Sequence, residues 1–156
     1  MKNLVYLSKT ILIILVALVI HACDKDEIDV SYNLSGDWKV VSFHDYEAST
    51  VVTKTEENTW PQFNNGDNTV SFIPSSETSG KVSGLNVTNR FSGDYTIDRN
   101  GGITLIDVIW TMINEPKWGQ LFHSISQAES YEIRNGLLMI YYNQKKNSIT
   151  LEKLDE

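Results

Sequence analysis

Cysteine is nearly absent from this sequence, because Cys23 is the only one among its 156 residues. A lone cysteine cannot form an internal disulfide, so the fold must be stabilised by its apolar core. Histidine is also scarce, with three residues, and neither a His-Glu-x-x-His spacing nor a pair of cysteines offers a metal site. We therefore expect no metal and no other cofactor.

Long apolar runs are missing as well, with one exception near the N-terminus. Residues 11–20 are all aliphatic, the only charged residues before them are Lys2 and Lys9, and Ala22 precedes Cys23. Ten apolar residues are too few for a transmembrane helix, which needs about 20. The basic start, the short apolar run and the small residue predict a secretory signal peptide over residues 1–22.

The four residues Ile20-His21-Ala22-Cys23 resemble the lipobox of bacterial lipoproteins. That resemblance implies cleavage before Cys23 and a lipid on its sulfur, and two or more acyl chains anchor a protein stably to a membrane. The following Lys25, Asp26 and Glu27 resemble the Lys-acid-acid signal that sends some lipoproteins to the outer face of the outer membrane. We thus expect an outer-membrane lipoprotein on the cell surface, with residues 23–33 as an acidic tether.

Positive charge is in short supply. After removal of residues 1–22, eleven basic and twenty acidic residues remain, which gives the 134-residue mature chain a formal net charge of −9. Nucleic-acid binding needs clustered Lys and Arg, so we expect no nucleic-acid partner. A chain of this length builds a single domain, which we place at residues 34–156.

The hydrophobic periodicity is mostly that of β-strands separated by turn residues, which is typical of antiparallel hairpins. The alternating segments are Asp37–Phe43, Thr69–Ile73, Asp94–Asp98, Gly102–Ile106, Gly136–Tyr142 and Ser148–Leu154. Residues 47–67 predict a weak strand and a long loop. The first segment places Trp38 and Val40 on one face, with Val41 and Phe43 on the other, and we expect Trp38 in the core.

One segment repeats its apolar residues at helical spacing instead. Asn114 can cap this helix, Glu115 suits the positive end of its dipole, and Pro116 is tolerated in the first turn. Its apolar stripe consists of Trp118, Leu121, Phe122 and Ile125. The predicted fold class is α+β and mainly β: a curved antiparallel sheet, or an incomplete barrel, packed against one amphipathic α-helix of about three turns.

The stretch from Ser83 to Thr96 contains a compact motif. Gly84 and Gly93 permit close contacts that a side chain would block, Asn89 can tie down a turn with its amide, and Phe91 and Tyr95 can pack inward. A phosphate-binding loop is the functional alternative, but such a loop has to open a helix, and strands surround this one.

Together with Arg90, these residues resemble the central motif of the META domain, the family of the heat-shock-associated lipoprotein HslJ. Further landmarks follow in family order: the segment 111–116, the apolar helix, and Ser130-Tyr131-Glu132-Ile133. The resemblance covers residues 34–153. This chain has Val87-Thr88 where the family often has Gly-Cys, and Glu115 where it often has a second cysteine, so the resemblance implies no redox role here.

Catalysis finds little support in the sequence. The mature chain has His44 and His123, and the adjacency of His123 to Ser124 says nothing about a catalytic triad. We therefore expect no enzyme and no catalytic residue. The resemblance implies a lipid-anchored envelope protein that acts by binding or by protein contacts, for example in envelope stress.

The alternative is a lipocalin-like binder of a small hydrophobic or glycan ligand, because Gly36-Asp37-Trp38 resembles the Gly-x-Trp opening of lipocalin-like barrels. Trp60 and Trp110 are the candidate contacts for a ligand or an envelope protein, since indole rings suit both. A deep aromatic cavity would favour the ligand binder, whereas exposed apolar patches would favour protein contacts.

Overall fold

A computed structural model of the protein describes residues 30–31 and 33–154. Three predicted features lie outside these residues: the signal peptide, the lipid site at Cys23, and the surface-export signal at Lys25, Asp26 and Glu27. Within the described ranges, no helix has both the length and the apolar character needed to cross a bilayer.

The described residues form ten β-strands and one α-helix. The strands are β1 (Val30–Ser31), β2 (Gly36–Asp45), β3 (Thr50–Thr53), β4 (Thr69–Pro74), β5 (Ser79–Leu85), β6 (Arg90–Ile97), β7 (Ile103–Trp110), β8 (Ser130–Arg134), β9 (Leu137–Tyr142) and β10 (Asn147–Lys153). The helix α1 is Lys117–Phe122, and the 3-10 turn His123–Gln127 continues it. A second 3-10 turn is Asn64–Gly66.

All ten strands belong to one antiparallel sheet, in the order β1-β8-β9-β10-β2-β4-β5-β6-β7, with β3 paired to β2. The sheet curls so far that Gly102, just before β7, bridges to Ser130 at the start of β8. The result is an incomplete barrel. The predicted fold class, a curved antiparallel sheet packed against one helix, is confirmed.

The interior of the barrel is filled with large apolar side chains from the sheet and from the helical segment. Trp38 is buried as predicted, and its indole Nε1 donates a hydrogen bond to the carbonyl oxygen of Leu34 at 2.9 Å. The predicted helical stripe packs inward, with Trp118, Phe122 and Ile125 fully buried and Leu121 partly buried. The core therefore occupies the space that a ligand would need inside the barrel.

Phe43 does not lie on the face opposite Trp38, so that prediction is wrong. The register between β10 and β2 shifts between Thr150 and Leu151, and the extra residue in β2 is Val41, which is exposed. Beyond this bulge the alternation is reversed. Phe43 therefore points into the core, where its ring meets Trp118 edge-on at 4.9 Å.

The start of the helix also differs from the prediction. Pro116 occupies the N-cap position, and no side chain caps the helix. Asn114 instead offers its carbonyl oxygen to the hydroxyl of Thr88 at 2.8 Å. Glu115 turns its Oε1 toward backbone N–H groups of residues 88 and 89. Both residues that were expected to start the helix, Asn114 through its carbonyl oxygen and Glu115 through its carboxylate, thus contact the turn between β5 and β6.

Candidate functional site

An open groove of about 590 Å³ crosses the outer face of the sheet, and we call it the outer groove. It spans β2, β4, β5, β6 and β7. Its lining residues are Asp37, Thr69, Val70, Ser71, Ser83, Gly84, Leu85, Arg90, Phe91, Ser92, Ile109, Trp110, Thr111 and Leu154.

The floor of the outer groove is a row of small side chains that runs across the strands. Ser71 pairs with Ser83, and Ser83 pairs with Ser92, so three serines stand side by side on neighbouring strands. Neighbouring strands lie about 4.8 Å apart, which sets the spacing of the three side chains. Because serine is small, this row leaves a hollow between the larger residues on either side.

The rim of the outer groove is aliphatic and exposed. Leu85, Ile109 and Leu154 line it, and Ile109 keeps 73% of its surface accessible. Directly after Thr111, Met112 and Ile113 project with 88% and 64% of their surfaces accessible. Large apolar residues that lie exposed in one region make this rim a candidate interaction surface.

The outer groove also contains one charge of each sign. Asp37 lies on β2 and Arg90 lies on β6, and both are exposed. Within the described part of the chain, neither makes an ion pair. The groove can therefore offer a guanidinium and a carboxylate to a partner.

The two candidate tryptophans differ in their positions. Trp110 lines the outer groove, but its ring is covered by Phe91 at 4.4 Å and by His123 at 4.3 Å between centroids. Its Nε1 donates to the hydroxyl of Ser126 at 3.1 Å. Trp60 packs against the core from the loop after β3, near Phe63, and does not line the groove. The structure thus does not bring the two tryptophans together.

Asn89 holds the projecting segment beside the outer groove. Its Oδ1 accepts from the backbone N–H of Ile113 at 2.7 Å, and its Nδ2 donates to the carbonyl oxygen of the same residue at 2.8 Å. The Thr111 hydroxyl donates to the same Oδ1 at 3.0 Å. Both backbone groups of Ile113 are therefore bound, which ties the backbone of the exposed segment to the turn before β6.

Glu115 completes this arrangement from the other side. Its Oε1 accepts from the backbone N–H of Thr88 at 3.1 Å, from that of Asn89 at 2.7 Å, and from Asn89 Nδ2 at 2.7 Å. Glu115 is buried, and a Cβ at Gly119 would overlap its second oxygen. The two positions at which the META resemblance expects cysteines, 88 and 115, are therefore in direct contact here.

The motif glycines make room for neighbouring atoms. A Cβ at Gly84 would overlap the ring of Phe91 and the carbonyl oxygen of Thr69, and a Cβ at Gly93 would meet the carbonyl oxygen of Ile106. Phe91 and Tyr95 point into the core. Arg90 is the motif residue whose side chain is exposed in the outer groove.

A second polar cluster lies on the outer face of β2, β8, β9 and β10. The hydroxyl of Ser42 and Nε2 of His44 lie 2.9 Å apart, and no carboxylate bonds this ring in the described part of the chain. Asp45 instead accepts from the backbone N–H of Ala48. The Tyr141 hydroxyl donates to Glu132 at 2.7 Å, and burial together with this bond raises the pKa of Tyr141 far above its ordinary value.

Metal chemistry has no centre in the region that the structure describes, where no group of three or more His, Cys, Asp or Glu side chains comes together. His123 faces Trp110, and the neighbouring Ser124 hydroxyl donates to the carbonyl oxygen of Leu121. These two residues therefore do not form a nucleophile and base pair.

The sequence analysis missed most of the outer groove. Ser71, Ser83 and Ser92 are unremarkable in sequence, and only pairing across three strands brings them together. One signal was present, because residues 109–113 read Ile-Trp-Thr-Met-Ile without a charge, across the end of β7 and beyond it. That run could have been recognised as an exposed apolar segment.

Comparison with known proteins gives a likeness in fold. No family model matches the chain, and no curated protein matches it. Among solved structures, the chain is similar to a DUF4847 family protein from Bacteroides vulgatus, with a TM-score of 0.54 and 15% sequence identity. The similarity covers 78% of this chain and 95% of that chain. At this identity the likeness concerns the fold alone.

Proposed function

We propose that this chain is a non-catalytic lipoprotein, anchored to the outer membrane through Cys23, that acts by binding a partner in the outer groove. The observation that carries the proposal is the contrast between the two sides of the sheet. The inner side is filled by buried side chains, among them Trp38, Trp118 and Phe122, whereas the outer side has an open groove with an exposed aliphatic rim.

This contrast favours protein contacts over a lipocalin-like ligand. A lipocalin-like protein holds its ligand inside the barrel, where this chain places its core. The outer groove is shallow and open, and large exposed apolar residues stand beside it, which is typical of a surface for macromolecular partners. The contact between Thr88 and Glu115 supports the META interpretation, because the family's cysteine positions are adjacent in this fold.

The lipid anchor is tested by mass spectrometry of the protein purified from its own membranes. We expect a chain that begins at Cys23 and carries acyl groups there. A chain that begins at Met1 with a free thiol would contradict this part of the proposal.

The binding role is tested by placing a photo-crosslinking amino acid at Ile109, on the rim of the groove. The control position is Ile73, which is also exposed on the outer face but does not line the groove. In illuminated whole cells we expect adducts from position 109 and none from position 73. Equal yields from both positions, or none from either, would rule out the groove as the binding surface.

A further inference from the structure

The outer groove has opposite charges on its two sides. Asp37 on β2 and Arg90 on β6 are three strand spacings apart across the sheet, about 14 Å, and are offset by two residues along the strands, about 7 Å. Both are exposed, and neither has an ion pair within the described residues. A partner that complements this face must present a positive group to one side and a negative group to the other, at a similar separation.

The apolar part of the same face is likewise complementary to itself. The serine floor leaves a hollow, and Met112 and Ile113 project from the surface just beyond Thr111 at the edge of the groove. Asn89 holds the backbone of Ile113 through both its N–H and its carbonyl group. One surface thus carries both a hollow and an exposed apolar projection.

We propose that a second copy of this chain occupies the outer groove, which makes the groove the interface of a two-fold homodimer. An axis midway between Asp37 and Arg90 sets Arg90 of each copy opposite Asp37 of the other. It also turns residues 112 and 113 of each copy toward the facing groove. An interface of this symmetry uses the same patch on both subunits, so the patch has to complement itself.

The proposal rests on the proposed function, because a lipid anchor would hold the copies in one membrane plane and raise their effective concentration. A lipid surface is a less suitable occupant. Asp37 and Arg90 cancel each other locally, and the chain as a whole is acidic, with a formal net charge of −7. Anionic headgroups would therefore find no excess positive charge at this face.

The test uses the full chain in the cells that make it. Leu85 lies on the rim, on a strand close to the midpoint between Asp37 and Arg90. A residue near a two-fold axis faces its own copy, so Leu85→Cys should form an intermolecular disulfide under mild oxidation. Ile73→Cys, on the same face outside the groove, should form none. The readout is a band of twice the monomer mass on a non-reducing gel.

Charge reversal then tests the pairing itself. In the Leu85→Cys background, Asp37→Arg and Arg90→Asp should each reduce the crosslinked fraction about tenfold or more, because like charges meet across the interface. Co-expression of the two reversed chains with different tags should restore crosslinking, but only between the two different chains. Both positions are exposed, so a thermal melt of each variant should match the wild type.

Three results would overturn the homodimer: no disulfide from Leu85→Cys, equal disulfide from Ile73→Cys, or charge reversals that leave crosslinking unchanged. If Leu85→Cys fails to crosslink and a Cys23→Ser chain, which has no lipid of its own, pellets with phosphatidylcholine vesicles, the face belongs to lipid. A wild-type chain that forms a disulfide dimer would instead reveal a free Cys23. That result contradicts the lipid anchor and leaves the charge-reversal test to be run in a Cys23→Ser background.

Discussion

Glu115 is the residue on which the turn before β6 depends. One buried oxygen accepts three N–H groups from Thr88 and Asn89, and these donors have little water to replace it. Leaving a buried donor unsatisfied costs about 1–3 kcal/mol. The same contact supports the segment that projects beside the outer groove, so its loss should be visible both in stability and in crosslinking from Ile109.

We predict that Glu115→Ala lowers the free energy of unfolding by about 3 kcal/mol, since it leaves several buried donors without an acceptor. Glu115→Gln keeps an acceptor oxygen but puts an amide NH2 at the buried Oε2 position, which has no hydrogen-bond partner, so it should lose about 1–2 kcal/mol, less than Glu115→Ala. Urea unfolding of the two variants decides between these outcomes. If the free energy of unfolding falls by the same amount in both variants, the three hydrogen bonds do not account for the contribution of Glu115 to stability.

Tyr141 gives the domain a stability that depends on pH. Burial, and after it the hydrogen bond to Glu132, raises the pKa of its phenol above the ordinary value of 10.0. The protonated phenol is thus favoured in the folded state, and its contribution is complete below pH 10.0 and is lost as the pH rises further. Burial raises the pKa of Tyr95 as well, which acts in the same direction.

We predict that the melting temperature of the wild type falls as the pH rises above about 10, and that Tyr141→Phe falls less steeply over the same range. Below that pH, the two proteins should keep a constant difference. The measurement is a series of thermal melts across the alkaline range. If the melting temperatures of the two proteins fall in parallel with pH, the pKa of Tyr141 is the same in the folded and unfolded states.

At the scale of elements, β5 is one of the strands that the sequence analysis did not predict. Ser79–Leu85 contains two glycines and two serines, residues with weak strand preference, and no alternation of apolar residues marks it. Gly80 and Gly84 are needed because Tyr95 and Phe91 of β6 lie over them. The composition that hid the strand is therefore a result of how its neighbour packs.

We predict that Gly84→Ala destabilises the domain by about 1–3 kcal/mol, because the new Cβ overlaps the Phe91 ring and the Thr69 carbonyl oxygen. Ser83→Ala is the matched control, one position earlier on the exposed face, and should change stability by about 0.5 kcal/mol or less. A Gly84→Ala variant that melts with the wild type would mean that the Phe91 ring can move aside at no cost.

The elements that could be predicted are those with an intact period. The alternation of β4, β9 and β10 and the helical stripe of α1 were read directly, and all of them face the core as expected. Not every regular element was predicted, because β8 was missing from the predicted strands although Tyr131 and Ile133 alternate inward. Other predictions failed at irregularities. The bulge at Val41 reversed the face of Phe43, and a second irregularity, with Asp107 at a positive φ, hid the continuation of β7 beyond Ile106. A bulge changes the period without leaving a clear mark in composition.

The candidate site was harder to predict than the fold, because it belongs to the whole molecule. Its residues come from β2, β4, β5, β6, β7 and the segments after β7 and β10, and only the pairing order of the strands brings them to one groove. The sequence analysis singled out Arg90 as a motif residue and Trp110 for its indole ring. It did not predict that the two residues line the same groove. The charge pair of Asp37 and Arg90 appears only when the strand order is known.

The predicted localisation at the cell surface also concerns the whole molecule in its envelope. We predict that changing Lys25, Asp26 and Glu27 together to Ala leaves the protein bound to the membrane but protected from protease added to whole cells. The wild type should be digested under the same conditions, and lysed cells of both strains should show equal digestion. A wild type that is equally protected in whole cells would contradict surface display.

The position of β10 determines the order in which the strands of the sheet can pair during folding. This last described strand lies in the middle of the sheet, between β9 and β2, and joins residues about a hundred positions apart, as in the bond between Tyr46 and Ser148. Contacts between such distant residues form slowly. A chain that is made from its N-terminus can pair β2, β4, β5, β6 and β7 early, but it cannot join β9 to β2 until β10 has been made, so the two parts of the sheet are united late.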